Sequence, residues 1–262
     1  LYPVNPSEKT IQGFACYPSI LDIKDEVDLA VIVVPAKIVP TVMKEAAKKG
    51  VKAAVIITSG FSEVGNHELE EEVTEIAKKA GIRVLGPNCL GVFDSKTGVD
   101  MLFLPETKTL TTGDEVVATP RPMAGPTAIV TQSGAFGAAA LDYLAGKQMG
   151  VSKFVSFGNK ADVTAAEMLD YLLHDPLTQV ILMYSESIDN GREFMKTAKP
   201  VRQKHRHREV VRAGHLGMTV HRGYGARRQP LRHSRQGRHL ACQAVTAGRR
   251  HRSPQTRTTS SS

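Results

Sequence analysis

The chain has 262 residues, 41% of them apolar and 5% aromatic with no Trp, enough apolar mass for the core of one or two domains. No apolar run approaches the roughly 20 residues of a membrane span, and no charged-then-apolar leader opens the sequence, so neither a transmembrane nor a secreted protein is expected. Three scattered cysteines (Cys16, Cys89 and Cys242) make neither a disulfide framework nor a zinc site, and no metal ligands are assigned; the expected compartment is a reducing cytoplasm.

The net charge of +8 is unevenly spread. Residues 201–262 hold fourteen Arg and one Lys against a single acid, Glu209, a net of +14; residues 1–200 keep 19 basic and 25 acidic residues, a net of −6. Two compositions therefore meet near Val201. The basic tail could be an arm for nucleic acid or solvated disorder. Translation in the wrong frame fits better, since Arg, His, Gln, Gly and Pro with few acids are what GC-rich coding DNA yields out of frame. The tail is expected to be disordered, and nucleic acid is not expected as a partner.

Leu1-Tyr-Pro-Val-Asn5 reads as a strand already under way. Asp28–Val34 is a continuous apolar run, as a buried parallel strand should be, and Pro35 ends it. A helix over 37–49 puts Val39, Val42, Met43 and Ala46 on one face before Gly50 stops it. A strand at Ala53–Ile57, a helix from about Asn66 to Ala80 and a strand at Ile82–Leu85 follow. Residues 94–126, with Pro105, Pro120, Pro122 and Pro126, read as a linker with a short hairpin. Alternation then resumes, with strands at 128–131, 153–157 and 180–184 and helices at 134–144, 164–173 and 191–198. Such units predict α/β sheets in two domains, 1–93 and 127–200, joined by the 94–126 linker and followed by the 201–262 tail. A Rossmann-like domain normally opens with a strand, a Gly-rich loop and a helix, so that unit is expected upstream of Leu1.

Three turns carry possible chemistry. Gly86-Pro-Asn-Cys-Leu-Gly91 leaves a strand directly, where ligands of open α/β sheets sit, and Asn88 can donate and accept; a plain strand-ending turn with a buried Cys is the alternative. Thr131-Gln-Ser-Gly-Ala-Phe-Gly137 runs from strand to helix with Ser133 as N-cap, an anion site by its oriented N–H groups and positive helix end, or simply a capped helix. It lacks the Gly-Lys-Ser/Thr of a Walker loop. Glu186 follows a strand, where a carboxylate can orient a catalytic His or sit solvated. His67 and His174, the histidines before the break, stand at a helix start and a helix end without catalytic neighbours in sequence.

With Tyr2–Pro6, Cys16–Ser19, Asp28–Ala36, Ile57–Phe61 and Gly158–Asp162, these turns make residues 1–198 resemble the α subunit, or α region, of the ADP-forming acyl-CoA synthetases, relatives of succinyl-CoA ligase, most closely the archaeal acetate–CoA ligase type. The resemblance implies a Rossmann-like CoA-binding domain followed by a flavodoxin-like domain. It implies reversible conversion of acyl-CoA, phosphate and ADP to carboxylic acid, CoA and ATP, through an acyl phosphate and a phosphohistidine. The nucleotide, with Mg, would bind an ATP-grasp domain on the same chain or on a β-subunit partner. Carried over, Gln132, Ser133, Gly134 and Ala135 cradle phosphate, Glu186 orients the active His, and Val34, Pro35, Ala36, Ser59, Gly60 and Asn88 line the CoA end. The family's Ser-His-x-Gly-x-Leu-Ala segment is not found beyond Glu186, and His215, His221 and His233 lack its context, so the chain as written is expected to be inactive. Read one nucleotide later, Gln229–Gln236 permits Ser-His-Ser-Gly-Thr-Leu-Ala, although Met218-Thr219 would spell a stop in that frame. The alternative function is a CoA-binding regulatory module of a synthetase-like protein acetyltransferase, which need not keep the His.

Overall fold

Two sheets, one parallel and one mixed, form where the sequence carries its continuous apolar runs. The computed structural model describes residues 1–204, all within one compact unit; residues 201–204 of the expected disordered tail end the last helix, and the rest of that tail lies outside the described residues.

At the N-terminus, β1 (Thr10–Ile11) and β2 (Phe14–Ala15) form a two-residue hairpin. The strand expected at Leu1–Asn5 is reduced to one bridge, Val4 to Tyr17. The first sheet has the order β3–β4–β5, from β3 (Leu29–Ile32), β4 (Ala53–Ile56) and β5 (Arg83–Leu85), all parallel. Its helices are α1 (Val39–Lys49), with Pro40 in the first turn where a missing N–H costs nothing, and α2 (His67–Ala80). Gly50 and Gly81 close them as expected. Val39, Met43 and Ala46 of α1 and Val73 and Ala77 of α2 bury one face against Ile32, Ala54, Ile56 and Val84.

The second sheet is larger than its sequence suggested. Its order is β12–β10–β11–β6–β7, from β6 (Gly91–Asp94), β7 (Val99–Asp100), β10 (Ala124–Thr131), β11 (Val151–Ser156) and β12 (Val180–Tyr184). β10 runs parallel to both β11 and β12, whereas β6 pairs antiparallel with β11, Phe93 opposite Phe154. Residues 91–100, split by the sequence reading between the first domain and the linker, thus extend the second sheet. The alternate burial of Gly91 and Phe93 gives them the period of a half-buried strand, which the Pro- and Thr-rich flank had obscured. The expected hairpin exists as β8 (Thr107–Thr109) and β9 (Glu115–Val117).

The helices of this half are α3 (Gly134–Gly146), α4 (Ala165–His174) and α5 (Gly191–Lys204). Thr164 caps α4 in a reciprocal box with Glu167. α5 runs past its expected end at Ala198 and through Pro200, because Val201, fully buried, packs into the same cluster as Phe194.

One apolar cluster joins the sheets: Val55, Ile57, Leu85 and Cys89 from the first half meet Val130, Val155, Phe157 and Leu169 from the second. Away from the cleft described below, Lys153 is buried between Asp94 (3.1 Å) and Asp175 (3.6 Å). Burial alone would raise both carboxyls. Hydrogen bonds from Lys153 to Asp94 and from Thr178 to Asp175, with backbone N–H groups, hold both below the usual range. Burial alone would lower the Lys153 ammonium, but the hydrogen bond to Asp94 leaves it above its ordinary value.

Candidate functional site

The carboxyl ends of β3, β4, β5, β10 and β12 open onto one cleft of about 640 Å³. It brings together Val34, Pro35, Ala36, Ser59 and Asn88 from the first half with Gln132, Ser133, Gly134 and Glu186 from the second. Of the residues singled out in the sequence, Gly60 and Ala135 are not among its lining.

On the second-half wall, Ser133 caps α3 by accepting the Phe136 N–H on Oγ (3.3 Å), and its carbonyl accepts the Gly137 N–H (3.0 Å). The N–H groups of Gly134 and Ala135 precede these bonds, so the helix start offers two donors to an anion. The Thr131 hydroxyl donates to the Ser133 carbonyl (2.7 Å) and holds the turn. Gln132 does more than the sequence indicated. Its Oε1 accepts the Glu186 N–H (2.9 Å) and the Ser185 hydroxyl (3.3 Å), which leaves its amide NH2 as a donor. Glu186 is thereby tied to the turn that caps α3, with its own side chain exposed in the cleft. The neighbouring loop is anchored by buried Lys160, which donates to the Ser187 carbonyl (2.9 Å) and to Asp189 (3.0 Å).

On the first-half wall, Thr58 donates to the Val34 carbonyl (2.7 Å), and the Asn88 N–H donates to the Thr58 carbonyl (2.9 Å). Gly60 lies behind the wall, where a Cβ would stand 3.2 Å from that of Ala36; its N–H donates to Glu63 Oε1 (2.5 Å). Partial burial pushes the Glu63 carboxyl up, but hydrogen bonds from Asn159 and from the Gly60 and Phe61 N–H groups outweigh it and hold the group below its usual range.

The sequence reading missed Glu63 and Asn159 as site residues. Both line the cleft, and Asn159 Nδ2 donates to Glu63 (2.6 Å) and Glu70 (2.7 Å) while its Oδ1 accepts from Asn88 (3.2 Å). The available signal was the Gly158–Asp162 segment, quoted for its resemblance only. That segment joins the halves: Asn159 and Ala161 N–H groups donate to the carbonyls of Pro87 and Gly86, and Arg83 binds Asp162 (2.9 Å) and Glu167 (2.8 Å). Gly158 has φ +53°, and a Cβ there would lie 2.1 Å from the Pro87 carbonyl oxygen, so this docking requires glycine.

Cys89 lines the cleft from below, buried, with burial pushing its thiol up to about 12. His67 begins α2, and His174 ends α4 with Nδ1 2.9 Å from the Asp170 carbonyl; neither lines the cleft. Among the described residues no three His, Cys, Asp or Glu side chains are grouped to hold a metal ion, and no helix is long and apolar enough to cross a membrane.

Residues 1–95 match the family described as CoA binding domain, and residues 124–217 match the succinyl-CoA ligase like flavodoxin domain. The acetate–CoA ligase (ADP-forming) of Methanocaldococcus jannaschii is 45% identical over 204 residues, 78% of this chain and 27% of that protein. The α subunit of acetate–CoA ligase (ADP-forming) I of Pyrococcus furiosus is 42% identical over 210 residues, 78% of this chain and 42% of that one. The solved Ca. Korarchaeum cryptofilum dinucleotide forming acetyl-coenzyme A synthetase 1, in complex with phosphate and ADP, superposes with a TM-score of 0.71 at 39% identity. The overlap covers 81% of this chain and 43% of that one.

The chain is homologous to the α region of the ADP-forming acyl-CoA ligases.

It spans less than half the length of these relatives. Within the family's α region, the match to the CoA binding domain holds the first sheet, and the match to the flavodoxin domain begins at the first residue of β10. The cleft lies where the two matched regions face each other.

Proposed function

We propose that the cleft holds acyl-CoA and phosphate for an ADP-forming acid–CoA ligase. The observation that carries this reading is the meeting, in one cleft, of a Ser-capped helix start and Glu186 with the strand-end loops of a CoA binding domain. CoA lies along Val34, Pro35, Ala36, Ser59 and Asn88, with Gly60 supporting Ala36 from behind. Phosphate sits on the N–H groups of Gly134 and Ala135, with Ser133 and the Gln132 NH2 beside it. A phosphate oxygen attacks the thioester carbonyl, the carbon–sulfur bond breaks, and CoA leaves with a proton on sulfur. An active His, oriented by Glu186, then takes the phosphoryl group from the acyl phosphate and frees the carboxylic acid. Transfer to ADP, with its Mg, belongs to an ATP-grasp domain or β subunit, and the setting is cytoplasmic. This chain's own part is positioning and charge stabilisation, on which phosphoryl transfer mainly relies.

The test is binding to the full chain. Titration calorimetry should show saturable binding of acetyl-CoA, and phosphorus NMR should show binding of inorganic phosphate. Ser133→Asp keeps a good N-cap but puts a negative charge where phosphate would lie, so phosphate binding should vanish while thermal stability stays. Undiminished phosphate binding in that variant, or no acetyl-CoA binding in the parent chain, overturns the reading.

A further inference from the structure

The phosphate end of the cleft is polar on one side, with Gln132, Ser133 and Glu186, and apolar on the other. The apolar side is Leu90 and Phe103, which stand together because the Phe103 N–H donates to the Leu90 carbonyl (2.8 Å). Leu90 is held further by the Ser156 hydroxyl, which accepts its N–H (3.0 Å). It crowds the helix start: a Cβ at Gly134 would lie 3.3 Å from Leu90 Cγ and 3.4 Å from Cδ2.

Resting on the function proposed above, we infer that Leu90 and Phe103 set the size of the acyl group. Attack requires the thioester carbonyl carbon to come within about 3–3.5 Å of a phosphate oxygen. With phosphate on the Gly134 and Ala135 N–H groups, the acyl carbons next to that carbonyl must lie beside the helix start. They cannot favour the side of Gln132 and Glu186, whose polar groups they would strip of water. They turn toward Leu90 and Phe103. Leu90, braced by two backbone hydrogen bonds, is a fixed stop, and Phe103, 60% exposed, is the outer part of the same wall. A short acyl group fits against the pair, and a longer one collides with it.

The experiment measures binding of acetyl-, butyryl- and hexanoyl-CoA to the full chain by calorimetry. In the parent chain affinity should fall with acyl length. Phe103→Ala should raise the ratio of butyryl-CoA to acetyl-CoA affinity about tenfold, the low end of what a methylene is worth in a fitted pocket. Leu90→Ala should move the ratio the same way, and Leu90→Phe should move it the other way. Phe103→Ala carries the test if the Leu90 variants do not fold, because it removes little buried volume. Acetyl-CoA binding with a ratio that stays within about twofold in Phe103→Ala overturns the wall and leaves the proposed function standing. Failure of the parent chain to bind any CoA thioester removes that function, and the wall with it.

Discussion

Leu29–Ile32 of β3 and Ala128–Val130 of β10 are both short runs of small and branched apolar residues. Ala128, Ile129 and Val130 are wholly buried, whereas Leu29 and Val31, with Val33 just beyond, are exposed. The difference lies in the neighbours. β10 has β11 on one side and β12 on the other, and among the described residues β3 is paired only with β4. An apolar run marks a strand; the strands and helices beside it decide whether burial makes that strand energetically decisive.

The comparison can be broken most forcefully at the central strands of the second sheet. Phe154 of β11 is fully buried, so Phe154→Ala should cost about 3–5 kcal/mol in denaturant unfolding. A cost near that of an exposed site would show the second core to be loosely packed. Next comes Lys153→Met on the same strand, expected to cost about 3 kcal/mol by leaving Asp94 and Asp175 without their cation.

The pH profile gives this substitution a signature. Both carboxyls sit below their usual range, so their contribution is complete above about pH 4 and lost as pH falls through their folded values. Lys153 sits above its usual value, so its contribution is complete below about pH 10.4 and lost as pH rises through the folded value. Lys153→Met should therefore flatten the acid limb, and an unchanged limb would show that the triad does not couple to folding.

Smaller effects sharpen the contrast. Ser133→Ala removes the α3 cap and should cost about 1 kcal/mol. Val31→Ala on β3 should stay within about 0.5 kcal/mol. A Val31 effect as large as that at Phe154 would mean that the outer face of β3 is covered in solution.

Legibility in the sequence followed the range of the interactions. The Ser133 turn was legible because a cap and its helix lie within four residues. The helical faces of α1 and α2 were legible because the 3.6-residue period is local. Glu63 and Asn159 were not, since their hydrogen bond joins residues 96 apart. β6 and β7 were hidden by a Pro- and Thr-rich flank, and their strand character depends on Phe93 finding Phe154 across the sheet. α5 outran its expected end because Val201 supplies a buried contact that the composition of its surroundings did not suggest. At the site, the sequence named half of the lining, and the structure added that Gln132 accepts the Glu186 N–H.

Cys89, packed where the two sheets share their core, has a practical consequence. With burial pushing its thiol up to about 12, it carries far less thiolate at pH 8 than an ordinary thiol does. Alkylating reagents attack the thiolate, so this sulfur should be labelled slowly while the fold is intact, and faster labelling would report a loosened core beneath the cleft.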